Sequence, residues 1–209
     1  MSYSPQLLFD GDPAGPCLAL AHGAGAAMDT PFMSAMAARI AEQGVRVARF
    51  EFEYMHLRRV DGKKRGPDGE RKCLECWRDV IARLPRPLAI GGKSMGGRMA
   101  SLLADEQQVA ALVCLGYPFH PAGKPDKLRV AHLESIRTPT LILQGERDSL
   151  GDLDEVSGYR LSDSIQVEWL PDGDHSFKPR RSSGHTEQGN WQTAADSAAA
   201  FLKRVPGFA

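Results

Sequence analysis

Leu88-Ala89-Ile90-Gly91-Gly92-Lys93-Ser94-Met95-Gly96-Gly97-Arg98 decides how the rest of the chain is read. A short apolar run leads into Gly92-Lys93-Ser94-Met95-Gly96, which matches the G-x-S-x-G pattern of a nucleophile elbow. Such an elbow needs a strand before it and a helix after it. Leu88 to Gly92 supplies the strand, and Met99, Leu102 and Leu103 supply the apolar positions of the helix. The sharp turn lifts a serine hydroxyl clear of the sheet, and glycines flank it because backbones approach closely there. Ser94 is therefore the candidate nucleophile. The N–H of Met95, at the helix start, is a candidate oxyanion donor.

Working outward, the same strand-then-helix order recurs. Cys17 to Ala21 is an apolar strand ending at His22-Gly23, and a helix starts at Pro31, where a missing N–H costs nothing. Phe32, Met36 and Ile40 continue that helix until Gly44, and Val45 to Phe52 reads as the next strand. After a polar loop, Leu74, Trp77, Ile81 and Leu84 mark a helix closed by Pro85 and Pro87. Strands follow at Val109–Leu115, Pro139–Leu143 and Ile165–Leu170, and the alanine-rich stretch from Trp191 to Val205 closes the chain as a helix. This alternation predicts an α/β fold, a mostly parallel central sheet with helices on both faces. With no repeat or linker in sight, residues 1–209 are expected to form a single domain. Ligands of such sheets sit at the carboxyl ends of the strands.

Composition narrows the function classes. Twenty-six basic residues balance 26 acidic ones, so no global field favours nucleic acid or an anionic membrane as partner. No apolar run is long enough to span a bilayer, and residues 1–6 lack the basic and apolar regions of a signal peptide. Cys17, Cys73, Cys76 and Cys114 are too scattered for a disulfide framework. A reduced, cytoplasmic protein acting on a small molecule is the expectation, with oligomeric state left open.

Three further positions complete a reaction centre. His22-Gly23-Ala24-Gly25 follows an early strand, and the backbone N–H of Ala24, or of Gly25, is a second candidate oxyanion donor. Asp148 lies just beyond the strand Leu141–Leu143, where it can hold an imidazole in one tautomer, with Glu146, Asp152 and Asp154 as rivals in the same loop. His175, in Pro171-Asp172-Gly173-Asp174-His175-Ser176-Phe177, follows the last strand and is the candidate base, with His185 its competitor. Acyl transfer through such a set needs no metal or organic cofactor.

With these residues in hand, the chain resembles the α/β-hydrolase superfamily over nearly its whole length. Within it, Gly92-Lys93-Ser94-Met95-Gly96-Gly97-Arg98, Leu143-Gln144-Gly145-Glu146-Arg147-Asp148 and Asp174-His175-Ser176-Phe177 look like a small lidless family near the dienelactone-hydrolase-like enzymes. The resemblance implies a serine hydrolase with the order Ser94, Asp148, His175, acting on an ester, thioester or small amide. Dienelactone hydrolases carry a cysteine where this chain has Ser94, so their specific reaction is not implied. Eukaryotic relatives include a chromatin-complex subunit, which makes a non-catalytic scaffold binding a protein partner the alternative.

Three features remain. Residues 56–72 carry seven lysines and arginines against three acids. This is a solvated loop, or else Arg58 or Arg59, following a strand end at Tyr54, meets an anionic group of the substrate, with His22, Gly23, Gly25 and Tyr54 as further candidates for substrate contact. Cys73-Leu74-Glu75-Cys76 is a C-x-x-C without a second ligand pair, expected to behave as two small hydrophobes on an amphipathic helix rather than as a metal site. The segment from Leu115 to Leu133, where a lid is often inserted, is short and polar, which predicts an open cleft, with Tyr117 and Phe119 lining its acyl side or packing the strand end.

Overall fold

The structure, a computed structural model, describes residues 3–208. These form seven strands: β1 (Leu7–Asp10), β2 (Cys17–Ala21), β3 (Arg46–Phe50), β4 (Leu88–Lys93), β5 (Ala111–Leu115), β6 (Thr140–Gly145) and β7 (Ile165–Leu170). They lie in one sheet in the order β1-β3-β2-β4-β5-β6-β7. Every neighbouring pair is parallel except β1 with β3. The helices are α1 (Pro31–Ala41), α2 (Glu53–Asp61), α3 (Glu70–Arg83), α4 (Met95–Ser101), α5 (Leu153–Ser157) and α6 (Glu187–Arg204).

Side chains alternate across each strand, so the sheet divides the apolar residues between two layers. Ala19, Ile90, Leu112, Cys114 and Ile142 face a core built with Trp77 and Val80 of α3 and Met99 of α4. Leu18, Leu20, Val113, Leu115 and Leu143 face the other, built with Met36 and Ile40 of α1 and Ala194, Ala198 and Leu202 of α6. The central strands β2, β4, β5 and β6 are buried on both faces. That is why they read as continuous apolar runs rather than as alternating ones.

Among the strands and α-helices, the sequence reading missed three. β1 is a four-residue edge strand whose Leu8 and Phe9 are exposed, so it lacks an apolar run. It is held to β3 by the Asp10–Arg49 ion pair at 2.9 Å. α2 occupies the start of what was expected to be a polar loop. Only Tyr54 and Met55 of its nine residues are buried, too few to show a helical period among so many charges. α5 is a single short turn capped by Asp152, whose side chain accepts from the Glu155 N–H while Glu155 reaches back. The closing helix begins at Glu187 rather than Trp191, with Thr186 as its cap.

A Cβ at Gly91 would lie 2.1 Å from the carbonyl oxygen of Val113 on the neighbouring strand. Neither backbone can yield without breaking the β4–β5 ladder. Gly91→Ala is expected to cost about 3 kcal/mol and to lower Tm by roughly 6–12 °C in a thermal melt. A Tm within 2 °C or so of wild type would contradict this packing.

Candidate active site

Ser94 stands between β4 and α4 with φ 51° and ψ −116°, a conformation that L residues avoid. Close packing enforces it. A Cβ at Gly92 would come 2.7 Å from the Gly96 carbonyl carbon, and one at Gly96 would come 2.6 Å from the carbonyl oxygens of Ala21 and His22. The glycines thus let the elbow press against the end of β2. The Ser94 N–H donates to the Leu115 carbonyl at 3.0 Å, tying the same turn to β5.

The structure brings Ser94, Asp148 and His175 together. His175 Nε2 lies 2.8 Å from Ser94 Oγ, and His175 Nδ1 lies 2.7 Å from Asp148 Oδ2. Asp148 is fully buried, accepts from the Leu150 N–H at 2.9 Å and also accepts from Gln144 Nε2 at 2.8 Å. The rivals are engaged elsewhere: Glu146 accepts from the Asp172 N–H, Asp152 caps α5, and Asp154 and His185 are exposed.

The loop that carries His175 is seated on the strand ends. A Cβ at Gly145 would lie 2.3 Å from the Asp174 carbonyl oxygen, and one at Gly116 would lie 2.9 Å from that of His175. From the other side, Asn190 Nδ2 donates to the Pro171 and Phe177 carbonyls, and Trp191 Nε1 donates to that of Ser176. Lys93, the variable position of the elbow motif, reaches under the loop, where its Nζ donates to the His175 carbonyl at 2.7 Å. Burial pulls the Lys93 ammonium down to about 8, although Asp148 and Asp174 favour its charge.

On the β2 side, His22 is fully buried: its Nδ1 donates to the Gly23 carbonyl at 2.7 Å, and its Nε2 accepts from the Phe52 N–H at 3.1 Å. Burial lowers its pKa below the ordinary histidine range, consistent with this neutral tautomer. Tyr54 Oη donates to the Ala24 carbonyl at 2.9 Å. Ala24 and Met95 line the cleft with Ser94, whereas Gly23 is buried against Ser94 Cβ and Gly25 is exposed.

The cleft has a volume of about 410 Å³. Between β5 and β6 the chain forms only a short helical turn, Ala131–Glu134, and Pro118, His120, Pro121 and Arg129 of this segment wall one side. Several residues that sequence reasoning offered for substrate contact serve the framework. Tyr54 and His22 brace the loop after β2. Tyr117 is fully buried and donates from Oη to the Arg129 carbonyl at 3.0 Å, with Phe119 packed against it. Arg59 is taken up by Glu51 at 2.7 Å and Asp29 at 2.5 Å, and neither it nor Arg58 lines the cleft. Most of the basic stretch is paired within itself or with neighbours: Arg65 with Asp61, Arg71 with Glu75, and Lys72 with Glu53 and Asp68. Cys73 and Cys76 are buried beside Trp77, and burial pushes the Cys73 thiol up to about 12.

Sequence reasoning missed Gln144 and the bracing role of Lys93. Gln144 Oε1 accepts from the Tyr117 N–H while its Nε2 reaches Asp148. A lone amide in the apolar run Leu141-Ile142-Leu143-Gln144 was the available signal, since a buried polar group must find partners.

A model of the alpha/beta hydrolase domain matches residues 14–203. The chain belongs to the α/β hydrolase family. Among solved structures, this α/β hydrolase is similar to a serine hydrolase homologue from Coxiella burnetii, with 16% identity over 94% of this chain and 90% of that one, and a TM-score of 0.70. It also resembles a serine hydrolase without a lid from Xanthomonas campestris, at 20% identity over 92% and 88% of the two chains, with a TM-score of 0.65. Dienelactone hydrolase from Anabaena variabilis matches at 18% identity over 97% and 99%, with a TM-score of 0.68. At these identities the likeness establishes the shared fold. Among the described residues no helix is long and apolar enough to cross a membrane.

The position of Lys93 gives a prediction with a sign. Its ammonium is held at about 8 in the folded chain against an ordinary 10.5, so the unfolded chain keeps this proton to higher pH. Stability contributed by this group therefore rises between pH 8 and 10.5. Chemical denaturation of wild type and Lys93→Met should show wild type gaining on the variant as pH is raised from 7.5 to 10. A gap that is constant with pH, or that moves the other way, would contradict the buried ammonium.

Proposed function

We propose that this α/β hydrolase is a serine hydrolase, cleaving an ester, thioester or small amide through an acyl-enzyme. The observation that carries the reading is the unbroken chain of contacts from Ser94 Oγ through His175 to buried Asp148, at 2.8 and 2.7 Å. These are hydrogen-bond distances suited to moving a proton from Ser94 to His175.

In this mechanism Ser94 Oγ attacks the carbonyl carbon while His175 Nε2 takes its proton. Asp148 holds the proton on Nδ1 and stabilises the imidazolium that forms. Negative charge gathers on the carbonyl oxygen, where the N–H groups of Met95 and Ala24 are the proposed donors. His175 then returns the proton to the leaving alcohol, thiol or amine, and the acyl group stays on Ser94. A water deprotonated by His175 attacks the acyl-enzyme and the carboxylic acid leaves. Lys93, braced against the His175 carbonyl, and Gln144, bonded to Asp148, hold the two partners in register.

Four buried, unpaired cysteines accord with a reducing, cytoplasmic setting, and continuous packing of one sheet between two helical layers accords with one domain over residues 1–209. The alternative is a scaffold that binds a protein partner without turnover.

A fluorophosphonate reporter decides between them. Wild type should be labelled once, at Ser94, and Ser94→Ala not at all. Asp148→Asn should slow labelling by a factor of about a thousand or more, because the imidazole loses its productive tautomer. An unlabelled, well-folded wild type would overturn the serine mechanism in favour of the scaffold.

A further inference from the structure

The charged residues lining the cleft balance in number, Asp68 and Glu70 against Arg98 and Arg129, but not in pairing. Asp68 is committed, accepting from the Tyr54 N–H at 3.0 Å and pairing with Lys72 at 3.1 Å. Glu70 pairs with Arg98 at 2.8 Å. His120 faces Glu155 at 3.2 Å. Among the described residues, the Arg129 guanidinium has neither a hydrogen-bond nor an ion-pair partner. The neighbouring Arg98 uses Nη2 for Glu70, yet its Nε is buried with no partner. Arg98 therefore holds the one carboxylate beside it, and Arg129 lines the same cleft as Ser94 unpaired.

Arg129 is also held in place. Its N–H donates to the Phe119 carbonyl at 2.7 Å and its carbonyl accepts from Tyr117 Oη at 3.0 Å, both from buried residues. A backbone pinned at both ends fixes where the side chain starts, at the wall of the cleft that it lines. Burial and the adjacent Arg98 both work against the Arg129 charge, so the site has a standing electrostatic cost that an anion would relieve. A planar guanidinium meets a carboxylate through two parallel hydrogen bonds.

We propose that Arg129, with Arg98 beside it, forms a carboxylate-binding subsite, and that the natural substrate is an anionic ester, thioester or amide bearing a carboxylate. This assigns to Arg129 the role that the basic stretch at residues 56–72 does not fill, since Arg59 is already paired. The substrate part of the inference rests on Ser94 being the reacting group of the same cleft. The anion subsite itself does not.

Two measurements separate the parts. The first compares kcat/KM for 4-nitrophenyl hemiglutarate with 4-nitrophenyl butyrate, and for 4-acetoxybenzoate with phenyl acetate. These pairs put the carboxylate on the acyl side and on the leaving-group side. Wild type should favour the anionic member of at least one pair about tenfold or more. Arg129→Gln should erase that preference, with the loss in KM, and Arg129→Lys should restore part of it. A preference for the neutral ester in both pairs, or one that survives Arg129→Gln, would overturn the proposal.

The second measurement needs no turnover: calorimetric binding of glutarate to Ser94→Ala and to Ser94→Ala/Arg129→Gln. Binding lost with Arg129 supports the subsite even if no ester is cleaved. Absence of binding to Ser94→Ala, or equal binding to both proteins, overturns it. A thermal melt of each variant verifies folding.

Discussion

The press of Gly92 and Gly96 against the carbonyls that end β2 is the constraint on which the rest of the site depends. With no Cβ at either position, the turn closes tightly enough to hold Ser94 at a positive φ, above the sheet edge and within reach of His175. The same contact sets the elbow beside the loop after β2, so Met95 and Ala24 share one cleft with the serine hydroxyl. Strain at one residue is tolerated because three parallel strands over-determine it: β2 by packing, β4 by continuity and β5 through the Leu115 carbonyl.

Polar groups under the site follow from that geometry. The carboxyl ends of parallel strands expose carbonyls that must be bonded, and buried side chains supply the partners. Gln144 links Tyr117 to Asp148, Lys93 holds the carbonyl of His175, and His22 bridges Gly23 and Phe52. Each is a polar residue at the end of an apolar run. Together they make a second layer that orients groups facing the cleft while facing away from it themselves. The arginines differ, since Arg129 is braced through its backbone and presents its charge to the cavity.

Much of this fold was legible because buried parallel strands are written as apolar runs and the helices between them carry the 3.6-residue period. The antiparallel edge strand β1 and the charged helix α2 were not, because each buries only a few side chains and is held by partners distant in sequence. Asp10 needs Arg49, and Arg59 needs Glu51 and Asp29. Tyr54 and Tyr117 looked like cleft residues from their places after strands. Their hydroxyls turn instead to the carbonyls of Ala24 and Arg129.

The sequence by itself determined the order of strands and helices, the elbow around Ser94, and the candidacy of Asp148 and His175 at strand ends, since these depend on local spacing and period. Only the tertiary structure decided which charges are spent and which are left. Arg59 and Arg129 are alike in one dimension. In three, the first lies between two carboxylates and the second lines a cavity whose carboxylates pair with other residues. Ion pairing depends on distances of a few ångströms between residues far apart in the chain, and no local pattern encodes them.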